Sequence, residues 1–248
     1  MAMPDLSAAA RLDLWQAADR RDAFDRPLVL AAAAGEEGRE DVLAGLPLGR
    51  RDGLLLALHH ALGGGALEAT ARCPDCGEPA EFSVDPDALL ARAADAPPPA
   101  GLEAAGFVVA WRSPDSRDVV AAAAAGDAAA AERVLLGRCV TAATGPDGDV
   151  DGTAFPPAAR EALARAMADA DPLAEVLVDV TCPACEAVFA ADLDVGAFVW
   201  AELRADAQRL LREVDALARA YGWTEPEVLA LDDGRRAAYL ELVREGPA

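Results

Sequence analysis

Two short motifs constrain this chain more than any other feature: Cys73-Pro-Asp-Cys76 and Cys182-Pro-Ala-Cys185. Two residues between cysteines make a tight turn that aims both sulfurs at one point, and two such turns complete a tetrahedral Cys₄ zinc site. The N-terminus shows no basic start followed by an apolar stretch, so paired cysteines read as metal ligands rather than disulfides. A redox role fits poorly, because a thioredoxin-type Cys-x-x-Cys wants a strand-to-helix context. Four thiolates leave no open coordination position. A zinc site of Cys73, Cys76, Cys182 and Cys185 is therefore expected to be structural, holding together segments distant in sequence.

The flanking residues say what is held. Leu67, Ala69 and Ala71 alternate with Glu68, Thr70 and Arg72 before the first pair, and Ala80, Phe82 and Val84 alternate with Glu81, Ser83 and Asp85 after it. A period of two on both sides of a turn is a β-hairpin, here with cysteines at its tip. Val176, Val178 and Val180 and the run 188–193 repeat the pattern around the second pair. An offset of 109 residues (182 minus 73) lays Cys76 on Cys185, Pro74 on Pro183, Asp85 on Asp194 and Leu89 on Phe198. Each unit reads strand, Cys-Pro-x-Cys, strand, helix start, through duplication or convergence on the same knuckle.

The remainder is mostly helical in pattern. Residues 1–65 read as an N-terminal helical segment broken at Gly35 and Gly38 and stopped by Gly63 to Gly65. Residues 66–195 read as a zinc-knuckle α+β core with an alanine-rich helical insertion: a helix from Asp85-Pro86, a linker over 96–101, and a strand over Phe107–Trp111. Then come an alanine-rich helical stretch broken near Gly126-Asp127 and ending near Val140, a loop over 145–152 and a helix over 156–167. Residues 196–248 read as a C-terminal helical module, with Gly222 as a helix stop and Thr224-Glu-Pro-Glu227 as a capping box. The fold class is thus α+β: two zinc-ribbon-like hairpins clamped by one zinc and flanked by helices.

Charge narrows the partners. The chain carries 43 acidic residues against 22 basic ones, all of them arginine, for a formal charge of −21. Nucleic-acid binding relies on clustered cations that release phosphate counterions, so this balance argues against it. Anionic membrane surfaces would repel the chain as well, and no window is apolar enough to span a bilayer. The expected location is the bacterial cytoplasm. Catalytic material is sparse. His59 and His60 are adjacent on a helix and cannot share a face as paired ligands, which leaves them a surface or packing role. Asp147 to Gly152 imitates a calcium loop but has Ala158 where a bidentate Glu belongs. Cys139 reads as a buried small hydrophobe. No carboxylate pair stands out, and the expectation is a non-enzyme.

The C-terminal module carries an apolar stripe of Val199, Leu203, Leu210, Leu211, Val214, Leu217 and Tyr221, onto which residues 223–242 can fold back. Most of that stripe is core material, but Tyr221, Trp223 and Tyr239 are candidates for a partner-binding surface.

Several stretches occur in an order that resembles a known family. They are Leu46-Pro-Leu-Gly-Arg-Arg-Asp, the first knuckle Arg72-Cys-Pro-Asp-Cys-Gly, Arg138-Cys-Val, Met167-Ala-Asp-Ala-Asp-Pro, and the second knuckle Asp179-Val-Thr-Cys-Pro-Ala-Cys. Phe198-Val-Trp-Ala-Glu and the segment Leu211 to Leu231 with its Ala-Tyr-Gly-Trp follow. This arrangement is similar to baseplate proteins of contractile-tailed, T-even-type phages and to their zinc-knuckle relatives in bacterial contractile injection systems. The resemblance runs from about Leu46 to Val243 and departs in the first 45 residues and over 119–131. It implies a non-enzymatic baseplate assembly factor or component that contacts hub, spike or wedge proteins and can enter a tail-like particle. The alternatives are a zinc-ribbon adaptor for another protein or nucleic acid outside any tail system, and a hydrolase with an unrecognised carboxylate pair.

Overall fold

The computed structural model describes residues 6–35, 39–99 and 101–245. The Gly38 break, residue 100 of the 96–101 linker and the outer ends of the segments 1–65 and 196–248 lie outside the described residues.

Four helices come first. In α1 (Ala8–Asp19) the Ser7 hydroxyl caps the N-terminus by accepting from the Ala10 N–H. α2 (Arg26–Ala34) has Pro27 in its first turn, where a missing N–H costs nothing. The short α3 (Glu40–Leu43) leads to α4 (Leu48–Ala61), beyond which Gly63 takes the left-handed conformation, φ +81°. α4 has no capping side chain of its own, because Pro47 precedes it. The carboxylate of Asp171, far along the chain, takes that place: its Oδ2 accepts from the Gly49 N–H at 3.2 Å. A Cβ at Gly49 would lie 1.9 Å from Asp171 Oδ1, so this approach requires glycine. The Leu48 N–H donates to the Pro114 carbonyl at 3.0 Å, which ties a third stretch to the same joint.

β1 (Leu67–Arg72) and β2 (Pro79–Val84) pair antiparallel, with Leu67 opposite Val84 and Ala71 opposite Ala80. α5 (Pro86–Ala94) follows, capped by Asp85. The alanine-rich insertion then builds β3 (Leu102–Ala104), β4 (Phe107–Trp111), α6 (Ser116–Ala123), α7 (Ala128–Cys139), β5 (Val140–Gly145), β6 (Gly148–Asp149) and α8 (Pro157–Ala170). Its strands form one antiparallel sheet in the order β3-β4-β5-β6. Sequence periodicity singles out only β4 of these four. Residues 145–152, expected as a plain loop, contain the β5–β6 turn, since Thr144 pairs with Asp149 and Gly145 with Gly148. β7 (Leu177–Thr181) and β8 (Val188–Asp192) form the second hairpin, and α9 (Val195–Tyr221), α10 (Glu225–Leu229) and α11 (Asp233–Glu245) complete the chain. Among the described residues no helix is long and apolar enough to cross a membrane.

The fold is mixed α+β, and its cores cut across the sequence segments. The main one joins Leu30 of α2, Leu55, Leu56 and Leu58 of α4, Leu67 and Val176 at the starts of the hairpins, and Val199 and Leu203 of α9. Segments 1–65, 66–195 and 196–248 therefore share one interior. A second cluster packs Val109, Trp111 and Ala143 of the sheet against Leu136 of α7 and Leu163 of α8. A small third cluster sets Ala8 and Leu12 of α1 against Ala207 and Leu210 of α9.

Candidate metal centre

Each hairpin delivers its cysteines through the same local geometry. In the first, the Gly77 N–H donates to the Cys73 carbonyl at 2.9 Å and the Cys73 N–H to the Glu78 carbonyl at 2.9 Å. In the second, the Glu186 N–H donates to the Cys182 carbonyl at 3.0 Å and the Cys182 N–H to the Ala187 carbonyl at 2.9 Å. The residue after each second cysteine is left-handed: Gly77 has φ +78° and Glu186 has φ +61°. Glycine reaches that region without strain, whereas Glu186 holds it against its own Cβ. The strand registers also correspond under the 109-residue offset, with Ala71 opposite Ala80 in one hairpin and Val180 opposite Phe189 in the other.

The hairpins lie against each other through Ala80, Val180 and Ala191, with Phe82, Val178 and Phe189 around them. This packing brings the two tips together. The four sulfurs lie within 4.8 Å of one another, with Cys73 Sγ 3.6 Å from Cys185 Sγ and Cys76 Sγ 3.6 Å from Cys182 Sγ. Sulfurs bound to one zinc at about 2.3 Å would stand roughly 3.8 Å apart at tetrahedral angles. The cluster thus fits a single tetrahedral ion. Cys73 and Cys182 are buried while Cys76 and Cys185 are exposed, so each knuckle contributes one inner and one outer sulfur. N–H groups of Cys185 and Ala184 bring the Cys182 thiol down to about 7. Cys76 also has a lowering N–H, from Glu78, but the neighbouring thiols, Cys185 foremost, push it up to about 12. The four sulfurs could hold one metal ion, and binding it would displace the protons they share.

No protein-family model, curated protein or solved structure matches the chain.

The other residues singled out by sequence fall elsewhere. Cys139 is buried beside Asp118, and burial together with that carboxylate pushes its thiol up to about 11, which makes it inert. His59 is 1% exposed, with Nδ1 2.6 Å from Glu202 Oε2 and Nε2 2.7 Å from the Gly65 carbonyl. A carbonyl only accepts, so Nε2 carries a proton and the His59–Glu202 contact holds another. The ring thereby fastens α4 to α9. Tyr221, Trp223 and Tyr239 do come together: Tyr221 stacks on Trp223 with ring centroids 4.8 Å apart, and Tyr239 meets Trp223 edge-on at 4.8 Å. They close the far end of the α9–α11 pair.

Sequence reading missed a closed ring of charges at that pair. Arg11 bridges Asp206 and Asp233, Arg209 bridges Asp206 and Glu213, and Arg236 bridges Glu213 and Asp233. Arg236 is 1% exposed and its third donor goes to the Leu231 carbonyl at 3.0 Å. It is the one fully buried side chain of α11. The sequence signal was available only in part, as the i, i+4 spacing of Arg209 and Glu213.

Proposed function

We propose that this protein is a non-enzymatic assembly factor or component of the baseplate of a contractile phage tail or related injection system, and that its four cysteines hold one structural zinc ion. In this reading the hairpins form a zinc-ribbon-like pair, derived from one repeated unit, and the metal keeps α4, α5 and α9 at fixed positions relative to one another. The observation that carries the proposal is where the family-like stretches lie. Leu46–Asp52 and Met167–Pro172 are about 120 residues apart yet meet at one joint, where Asp171 accepts from the Gly49 N–H. The two knuckles meet at a second joint. The resemblance thus coincides with the contacts that set the shape of the molecule, as expected of a protein selected for the surfaces it presents. A closed four-sulfur site supplies rigidity rather than a Lewis acid.

Deleting the gene in its host and imaging tail-like particles by electron microscopy tests the assignment. Loss of complete baseplates, restored by the wild-type gene, is the expected result. Intact particles in normal number would overturn it.

A further inference from the structure

The outward side of α9 carries arginines that make no ion pair among the described residues. Among the described residues no carboxylate lies within ion-pair distance of Arg204 or Arg212, nor of Arg244, which borders α9 from α11. Arg212 instead donates from Nε to the Gln208 carbonyl at 3.0 Å. This is not for want of acids, since the chain has 43 carboxylate residues for 22 basic ones. On this face Asp215 is tied to Arg219 at 2.9 Å, and Asp206 and Glu213 are engaged in the charge ring.

Two shallow concavities lie along α9 at these residues. One, about 410 Å³, is lined by Trp200, Ala201, Arg204, Ala205 and Gln208. The second, about 340 Å³, is lined by Arg209, Arg212, Glu213 and Ala216 of α9 with Leu240, Val243 and Arg244 of α11, and Glu213 there is already held by Arg209 and Arg236. The alanines let a partner's backbone come close, and the Arg26 guanidinium, 4.5 Å over the Trp200 ring, fixes that wall. From Trp200 to Ala216 α9 rises roughly 24 Å, so a shallow trough along this face would offer length for about four turns of helix.

We propose that this trough docks an acidic amphipathic helix of another protein. Its carboxylates would pair with Arg204, Arg212 and Arg244, and apolar residues three and four apart would rest on the alanines, Trp200 and Leu240. A long polyanion such as nucleic acid fits less well, because the rest of a −21 chain repels whatever extends past the trough. A second copy bears the same −21 charge, and two troughs face to face would oppose arginine to arginine. The proposal leans on the assembly reading only in taking the occupant to be a protein.

The test pans the full, metal-loaded chain against phage-displayed random peptides about 16 residues long, roughly four helical turns. Enriched peptides are expected to combine Asp or Glu with apolar residues three and four apart. Their affinity should fall with salt, and by about tenfold or more in Arg204→Glu/Arg212→Glu. Both side chains are exposed, so an unchanged thermal midpoint of the variant separates lost docking from lost folding. Failure to enrich acidic peptides, or equal binding to the variant, overturns the proposal. So does a fluorescent single-stranded DNA that binds the wild type but not the variant, or self-association abolished in the variant. Normal baseplates in the deletion strain would remove the assembly reading while leaving the peptide result standing.

Discussion

Asp118 has no exposed surface, and its carboxylate accepts from Arg112 at 2.6 and 2.9 Å, from Arg138 at 2.6 Å and from the Asp115 N–H at 2.9 Å. Burial alone would raise its pKa, but the two guanidinium groups and the backbone N–H hold it far below the usual carboxylate range. Asp118→Asn is expected to cost about 2–3 kcal/mol in urea unfolding at neutral pH, toward the low side for buried pairs because both arginines touch solvent. A depressed folded pKa contributes stability that is fully present above the unfolded value of about 3.9 and is lost as pH falls toward the folded value. The gap between wild type and variant should therefore shrink below about pH 4, and a gap independent of pH would contradict this account. A sharper residue-scale contrast lies in neighbouring glycines. A Cβ at Gly64 would lie 2.1 Å from the His59 ring, whereas one at Gly65 meets nothing within 4 Å. Gly64→Ala should lower the thermal midpoint by several degrees, since either the ring moves off Glu202 or the backbone shifts, a cost of about 2 kcal/mol. Gly65→Ala should leave it within about 0.5 kcal/mol of wild type.

At the scale of elements, the two knuckles make a matched experiment. Gly77 and Glu186 occupy corresponding left-handed positions, and only one of them is glycine. Glu186→Gly is expected to stabilise the metal-loaded protein by about 0.5–1 kcal/mol, and Gly77→Ala to destabilise it by about 1 kcal/mol, both read from thermal melts. These hairpins were legible in sequence because one face of each is buried and period-two alternation records that directly. The four-stranded sheet was not. In Val140-Thr-Ala-Ala-Thr the inward Ala143 and outward Ala142 are the same residue type, so burial left no mark on the pattern. The charge ring was hidden for another reason, since its members come from α1, α9 and α11 and only the fold makes them neighbours. Arg236→Ala should selectively raise hydrogen exchange in α11, by about 2 kcal/mol of local opening energy, because it removes the one fully buried side chain of α11 and its pairs with Glu213 and Asp233. Uniform loosening of α4 and α9 would argue against a local role.

For the whole molecule, the thiol cluster bears on the main core, because the hairpins it joins reach that interior through Leu67 and Val176. Sequence spacing picked out the four cysteines that come together and the α+β character, but not that the N-terminal helices and α9 share one interior. That sharing depends on apolar faces whose partners lie more than a hundred residues away. One ion shared by both knuckles predicts that Cys73→Ser and Cys182→Ser lose metal equally, measured as zinc per chain by elemental analysis. Metal retained by either variant would mean that the two knuckles do not share one ion. Since the ligands bind as thiolates, acidification should release the ion, and the thermal midpoint should fall with it.

The placement of α9 has a consequence for how the protein is made. α1, α2 and α4 pack against a helix that begins at Val195, and Cys73 waits for Cys185, which lies 112 residues later. At about 5–20 residues per second, the first knuckle spends roughly 6–22 seconds on the ribosome without its counterpart. During that interval α2 and α4 can pack on each other but lack the α9 face, with Val199 and Leu203, that completes burial of Leu30, Leu55 and Leu56. The main core is therefore expected to close only when α9 emerges late in synthesis, and chains cut short of Val195 should show no cooperative melting of α2 and α4.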